Sequence, residues 1–381
     1  MKRHSRPCAA ARAAAVLLAG VVAIPTAAVA QSTDSPLTIH GYLTQGVGRA
    51  TERAIFGLDT ASTTDYRAAA VQVRYAIGEN DDFLVQFAHR RLGTSLLNGA
   101  MADVALDWVF YQRQFAGITA KVGRVPTPRG IYNEIRDVGT ILPFYRAPYN
   151  FYTEGGETVD GGSLKYTQGL GAGFTADLNA FAGGWDYKQL TLSTSTGETY
   201  MASSRAQYAF GGQAWLNTPV AGVRLGLGGQ TFRFDEYALL VNTLGTGRKK
   251  GSLVQASLDA TREHFYVRGE VQRFEVEGRK FDYPSWYAQV GVRPFSRLGI
   301  HAQTDRAQVK MNARLSPTLV VPMDYEYARD NALGATLAVS PNFVLKAEAH
   351  EARGYNFDQF VSPVAPQARS RYWLASAAVS F

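Results

Sequence analysis

The sequence has a single cysteine, no long apolar run beyond its first thirty residues, and little net charge once those residues are set aside. The cysteine is Cys8, so the rest of the chain can form neither a disulfide nor a thiolate metal site. Beyond residue 30, no segment reaches the roughly 18 consecutive apolar residues of a membrane-spanning helix. A bundle of membrane helices is therefore excluded for that part of the chain.

The net charge of +7 does not indicate a nucleic-acid partner. Residues 1–30 contain four basic residues and no acidic one, which leaves 35 basic against 32 acidic residues, or +3, in the remainder. These charges are interspersed along the chain. We therefore predict no nucleic-acid binding.

The first thirty residues have the pattern of an export signal. A basic segment is followed by the apolar segment AAAVLLAGVVAI and then by small residues at Ala28 and Ala30. This order of basic, apolar and small residues is typical of a cleaved signal peptide. We expect cleavage after residue 30, so that the mature chain is 31–381 and begins at Gln31.

The rest of the chain alternates with a period of two residues, which predicts β-strands. Residues 265–272 show the pattern clearly. One predicted face carries Phe265, Val267 and Val271, and the other carries Tyr266, Arg268, Glu270 and Gln272. In residues 103–110 the pattern predicts an apolar face of Val104, Leu106, Trp108 and Phe110 opposite Asp103 and Asp107.

Turns and loops divide this region into sixteen strands. Seven short turns, near 78–82, 116–117, 168–171, 218–222, 261–264, 294–298 and 340–342, alternate with eight longer connections. The longer connections lie near 51–64, 93–102, 126–159, 186–199, 236–250, 277–284, 310–323 and 353–369. Strict alternation of short and long connections indicates an up-and-down barrel with turns at one rim and loops at the other. A soluble sandwich also alternates along its strands, but it gives no reason for this order of connections.

An apolar outer face and a polar inner face satisfy every residue if the barrel crosses a membrane, because closure pairs every backbone group. Sixteen strands enclose a lumen too wide for side chains to fill, so a water-filled channel is expected. Aromatic residues near strand ends are predicted to form interfacial girdles. They are Trp185, Tyr187, Tyr283, Trp286, Tyr287, Tyr325, Tyr327, Tyr372 and Trp373.

The last strand, SRYWLASAAVSF, ends on Phe381 and places alternate apolar residues on one face. A terminal strand of this kind is similar to the assembly signal of bacterial outer-membrane barrels. With the export signal and the strand count, the chain resembles the sixteen-stranded outer-membrane porins of Gram-negative bacteria. The resemblance implies an outer-membrane location with lipid contact, recognition of the last strand by the barrel-assembly machinery, and a homotrimer.

The connection near 126–159 is the longest of the eight. In the porin family the loop at this position folds into the barrel and narrows the pore, so the resemblance implies the same here. The stretch GRVPTPRGIYNEIRD also resembles substrate-selective porins, whereas the Pro-Glu-Phe-Gly-Gly turn of general diffusion porins is absent. Charges of both signs at a narrow point create a transverse field that selects solutes. The predicted constriction set is Arg74, Arg90, Arg124, Arg129, Glu134, Arg136 and Asp137.

These observations predict an outer-membrane porin for passive diffusion of ions and small hydrophilic solutes. One alternative is a selective uptake channel for anionic organic acids, in which the arginines would bind the solute carboxylate. Another is a barrel enzyme or adhesin with a plugged lumen. The sequence has no His-Glu-x-x-His and no Gly-x-Ser-x-Gly. We therefore predict no catalytic residue, no metal and no cofactor.

Overall fold

A computed structural model describes residues 35–95, 98, 103–153, 155–192, 199–234, 247–277, 280–314, 319–354 and 369–381. The expected signal peptide, 1–30, lies outside the described residues. Within them the chain forms sixteen strands and one short 3-10 turn, Asn133–Ile135. The strands are β1 Leu37–Ala50, β2 Thr63–Ala76, β3 Asp81–Leu92, β4 Ala105–Phe115, β5 Ile118–Pro126, β6 Thr158–Gly171, β7 Phe174–Leu192, β8 Thr199–Asn217, β9 Val223–Phe234, β10 Lys249–Thr261, β11 Phe265–Val276, β12 Phe281–Phe295, β13 Leu298–Arg314, β14 Val320–Ser340, β15 Phe343–Gly354 and β16 Arg369–Ser380. In this part of the chain no helix has the length and apolar character needed to cross a membrane.

The strands form one closed barrel in which each strand is antiparallel to its neighbours in sequence. β1 and β16 complete the ring, with Leu43 opposite Val379 and Val47 opposite Ala375. Closure leaves no open sheet edge, which satisfies the backbone hydrogen-bonding groups of every strand. The predicted all-β, sixteen-stranded up-and-down barrel is confirmed.

Many strands present an apolar face to the outside and a largely polar face to the inside. On β11, Phe265, Val267 and Val271 are 40–57% exposed, whereas Glu270 and Gln272 are buried. A closed barrel shields its inner wall and leaves its outer wall open. The exposed apolar face is therefore the outer wall, as the alternation predicts for this strand.

One rim carries short turns and the other carries the longer connections. The connection 127–157, called L3 below, is the longest one that the structure describes almost completely. Several strands run beyond their predicted ends, so that β7 and β8 have 19 residues each. The turn predicted near 168–171 lies at 172–173 instead. Ala172 and Gly173 have φ of 50° and 79°, the positive values that a tight two-residue hairpin turn requires.

Candidate functional site at the third long loop

L3 is closed at its base by hydrogen bonds between its two ends. The Thr127 amide donates to the Glu157 carbonyl at 2.9 Å. The buried side-chain amide of Asn133 donates to both the Thr127 and Glu157 carbonyls, at 2.8 and 2.9 Å. The two ends therefore stay together, and the described residues between them project as one folded segment.

The first half of L3 is bound to the inner face of β11. Arg129 donates from Nη2 to Gln272 Oε1 at 2.9 Å and to the Phe151 carbonyl at 2.8 Å. The buried Glu270 carboxylate accepts hydrogen bonds from the Tyr152 hydroxyl and from the Ile131 amide. Both Glu270 and Arg129 are largely shielded from solvent. Hydrogen bonds to buried charged groups stabilise a structure more than neutral ones do. The inner face of β11 therefore holds the first half of L3 firmly.

Tyr132 extends the attachment to β12. Its hydroxyl donates to Gln289 Oε1 and accepts from Arg268 Nη1, the latter at 2.9 Å. Burial raises the pKa of Tyr132 to about 12, and burial lowers the pKa of the Arg129 guanidinium. An arginine stays protonated even after a considerable lowering. The Tyr132 hydroxyl therefore stays neutral and the Arg129 guanidinium stays charged around neutral pH.

The second half of L3 reaches β15 on one side and β2 on the other. The Tyr145 amide donates to Glu348 Oε2 at 2.8 Å, and Lys346 Nζ donates to the Phe144 carbonyl at 2.9 Å. The Tyr145 ring also lies 4.9 Å from the Tyr66 ring, measured between centroids. L3 thus contacts inner-face residues of strands that lie far apart around the barrel.

A cavity of about 300 Å³ lies between L3 and the inner faces of β1–β4. Two ion pairs stand at this cavity. Arg90 Nη1 lies 3.3 Å from Asp137 Oδ2, and Arg136 Nη1 lies 3.1 Å from Glu157 Oε1. Glu134, in the 3-10 turn, is exposed toward the same cavity. The charged lining comprises Arg90, Arg136, Asp107, Glu134, Asp137 and Glu157.

Asp107 was not in the predicted set, and a strand irregularity brings it to the cavity. The register between β3 and β4 shifts between Gln86 and Phe87, so that Gln86 lies opposite Trp108 and Phe87 opposite Leu106. Asp107 and Trp108 therefore both line the cavity, and Gln86 Nε2 donates to Asp107 Oδ2 at 2.7 Å. Strict alternation had placed Trp108 on the opposite face, and a bulge of this kind breaks that rule.

Five of the seven predicted constriction residues belong to L3 or contact it. Arg74 is on the inner face but close to the rim that carries the turns. It binds Asp82 through two hydrogen bonds of 2.9 Å, from Nε and from Nη2. It is two positions beyond Gln72, which lines the cavity, and is not itself part of the lining. The five residues at L3 are Arg90, Arg129, Glu134, Arg136 and Asp137.

The assignment of Arg124 to the constriction is wrong. Arg124 is on the outer face of β5, on the same side as Val122, which is 65% exposed. Its Nε donates to Asp160 Oδ1 at 2.6 Å, and Asp160 is directly opposite it on β6. Lys121 points inward, over the Phe110 ring. Residues three apart in a regular strand face opposite sides, so Lys121 and Arg124 cannot both face the lumen.

The barrel described above, closed, antiparallel and sixteen-stranded, with a long third connection against its inner wall, is the fold of the outer-membrane porins. Solved structures of that class match the chain over most of its length.

The OmpT outer membrane protein of Vibrio cholerae in its trimer form has a TM-score of 0.56 and 11% identity, over 91% of this chain and 99% of that one. The anion-selective porin of Comamonas acidovorans has a TM-score of 0.55 and 9% identity, over 91% and 99%. Salmonella typhi OmpF, solved in complex with daunomycin, has a TM-score of 0.55 and 12% identity, over 91% and 97%. No family model and no curated protein matches the sequence. At identities of 9–12%, the similarity to the solved structures establishes the fold alone.

Proposed function

We propose that this protein is an outer-membrane porin, a water-filled channel for passive diffusion of ions and small hydrophilic solutes. The observation that carries the proposal is the charged cavity between L3 and β1–β4 inside a closed barrel. The apolar outer wall suits a lipid bilayer, and the polar inner wall suits water. The same proposal includes export through the signal peptide 1–30.

L3 is proposed to form the narrow part of the channel. Its bonds to β11, β12 and β15, together with its contact to β2, support a position across the lumen. The open path then lies between the cavity-facing side of L3 and the early strands. Solute size would be limited there by the side chains of L3 and of the facing strands.

A preference for cations is proposed for this narrow part. The cavity is lined by two arginines and four carboxylates, a formal charge of −2. Lys121, which interacts with Glu134 but is not part of the lining, would reduce this to −1. Arg90 is paired with Asp137 and Arg136 with Glu157. Charges in a confined, partly shielded space act more strongly than at a free surface. Glu134 thus supplies a negative field that the two arginines do not cancel.

The selective uptake channel for anionic organic acids stays a prediction. It requires arginines that can exchange their carboxylate partners for the carboxylate of a solute. Saturable block of the conductance by benzoate, absent with glucose, would support it. Unchanged conductance with both solutes would exclude it.

Assembly and oligomeric state belong to the same proposal. A homotrimer is proposed from the fold, and the barrel-assembly machinery is proposed to recognise the last strand through Phe381. No catalytic reaction is assigned to the L3 site. Among the described residues there is no group of three His, Cys, Asp or Glu side chains placed to hold a metal ion.

Single-channel conductance of the purified protein in a planar bilayer, under a salt gradient, tests the proposal. We expect stable steps and a reversal potential of the sign that indicates cation preference. The absence of conductance through a correctly inserted barrel would overturn the channel proposal and favour an enzyme or adhesin with a plugged lumen. Stable steps with clear anion preference would leave the channel intact and overturn the assignment of charge at L3.

A further inference from the structure

Four arginines lie directly opposite one another on four adjacent strands. The strand register pairs Arg306 of β13 with Arg329 of β14, Arg329 with Arg353 of β15, and Arg353 with Arg369 of β16. We call this set the arginine row. It runs across the sheet at right angles to the strands, so neighbouring guanidinium groups belong to directly facing backbone positions.

The arginine row is on the outer wall of the barrel. The residues beside each arginine along its strand are almost completely buried toward the inside. Ala307 is 1% exposed, Ala328 7%, Ala352 2% and Ser370 0%. Since successive residues of a strand face opposite sides, the arginines face outward. The same outer wall carries Trp286, whose ring lies 5.5 Å from the Arg306 guanidinium carbon.

The carboxylates around the row do not neutralise it. Glu326 pairs with Arg329 at 2.8 Å, and Glu351 contacts Arg369 and also Arg371. Among the described residues, five arginines thus face two carboxylates, which leaves a local charge of +3. Like charges placed directly opposite each other on a sheet destabilise it. An anion bound to the row would offset this repulsion.

The outer wall on another side of the barrel shows the opposite arrangement. There Arg124 is opposite Asp160, and Asp186 is opposite Arg205. Each arginine faces a carboxylate across the strand pair, so the charges are balanced within the protein. Like charges also face each other as single pairs elsewhere on the outer wall, Arg67 with Arg91 and Arg233 with Lys250. Within the described strands, a continuous run of four facing arginines occurs on β13–β16.

Two donors in the row are shielded from solvent and lack a partner. The Nε atoms of Arg306 and Arg329 are buried and make no hydrogen bond within the part of the chain that the structure describes. An unpaired buried donor costs free energy. Arginine binds phosphate oxygens through parallel hydrogen bonds from its planar guanidinium group. The excess positive charge on the outer wall therefore favours a phosphate ligand, and a change of rotamer would bring the two unpaired Nε donors to it.

We propose that the arginine row binds the phosphate groups of an anionic membrane lipid. The row is beside exposed apolar side chains of the same wall, including Leu333 at 67% exposure and Trp286 at 37%. A lipid satisfies both features, with its phosphates on the arginines and its acyl chains on the apolar wall. A soluble anion would use only the first. The proposal rests on the membrane placement proposed above, and it does not depend on conductance.

Native mass spectrometry of the detergent-purified full chain, titrated with diphosphorylated lipid A, tests the proposal. The variant Arg329→Gln/Arg353→Gln removes the two central arginines. Arg124→Gln/Arg205→Gln is the matched control, because it removes two outer-wall arginines that have facing carboxylates. We expect lipid A to bind the first variant about thirtyfold more weakly, since each arginine near an anionic surface contributes about fivefold. The control should bind lipid A as the unchanged protein does.

Thermal unfolding separates this role from a purely structural one. In lipid-free detergent the Arg329→Gln/Arg353→Gln variant should melt at a higher temperature, because the facing like charges are gone. With lipid A bound, the unchanged protein should be the more stable of the two. Lower stability of the variant in both conditions would overturn the proposal.

Two further outcomes would also overturn it. Equal lipid A binding by both variants would show that the row is not the site. Complete displacement of the lipid by inorganic pyrophosphate at equal concentration would show a soluble-anion site. A change in oligomeric state of the Arg329→Gln/Arg353→Gln variant, without any change in lipid binding, would assign the row to contact between subunits.

Discussion

Gly41 and Phe381 join the first and last strands by two reciprocal backbone hydrogen bonds, each 3.0 Å long. The Phe381 ring also covers the Gly41 backbone, because a Cβ atom added at Gly41 would lie 2.5 Å from the ring carbon Cζ. The terminal residue therefore completes the ring of strands, and Gly41 leaves the space for its side chain.

Gly41→Val should weaken the closure of the barrel. The added side chain must displace the Phe381 ring or part the strands, and overpacking of this kind costs about 1–3 kcal/mol. We expect the folded form to lose its compact migration on a gel at a lower temperature. Gly169→Val is the matched control, since a Cβ at Gly169 meets no atom within 4 Å. An equal shift in both variants would contradict a specific role for Gly41.

Phe381→Ala tests the predicted assembly signal. If the assembly machinery recognises the terminal ring, the variant should accumulate less in the outer membrane of cells and still refold in detergent. The measurement is the folded fraction of the variant in the outer membrane of cells and after refolding in detergent. Loss of refolding in detergent as well would show that the ring acts through the stability of the β1–β16 pairing alone.

Arg129→Met should loosen L3. The substitution keeps much of the side-chain volume but removes the hydrogen bonds to Gln272 and to the Phe151 carbonyl. We expect larger or noisier conductance steps, because the first half of the loop loses its charged contact with β11. Arg74→Met is the control, since Arg74 binds Asp82 near the turn rim. Identical traces from the two variants would contradict L3 as the narrow part.

Glu134→Gln and Arg90→Gln should shift ion preference in opposite directions. Removing the exposed carboxylate makes the cavity less negative and moves the reversal potential toward anions. Removing Arg90 leaves the Asp137 carboxylate without this ion-pair partner, so the reversal potential should move toward cation preference. Arg124→Gln should leave the reversal potential unchanged because its side chain faces outward. A shift with Arg124→Gln equal to that with Glu134→Gln would place the selectivity outside the L3 cavity.

The order of strands could be predicted from the sequence, because alternation and the sequence of short and long connections are both local. The position of Arg124 could also have been derived. Lys121 and Arg124 are three positions apart, so only one of them can face the lumen in a regular strand. Arg124 is close to L3 in the sequence, which by itself favours a place at the constriction. Proximity to L3 in the sequence does not decide which side of the barrel Arg124 faces. Alternation along β5 decides it.

Other features could not be derived from local pattern. Asp107 reaches the cavity only because β3 and β4 change register at Gln86, and such a shift depends on the pairing of two strands. Aromatic residues expected at the membrane interface divide between the faces. Trp286 is on the outer wall, but Trp185 and Tyr372 are buried on the inner side. Composition predicts that aromatic residues cluster, and only the register decides which way each one points.

The contacts of L3 determine when it can dock during folding. Its hydrogen bonds to Glu270, Gln272 and Glu348 join positions 118 to 203 residues apart in the chain. Contacts between such distant positions form slowly, because the intervening chain must first be ordered. The wall must be complete before the loop has surfaces to bind on both sides. Docking of L3 is therefore a late event, and a probe on this loop would report the moment at which the barrel is finished.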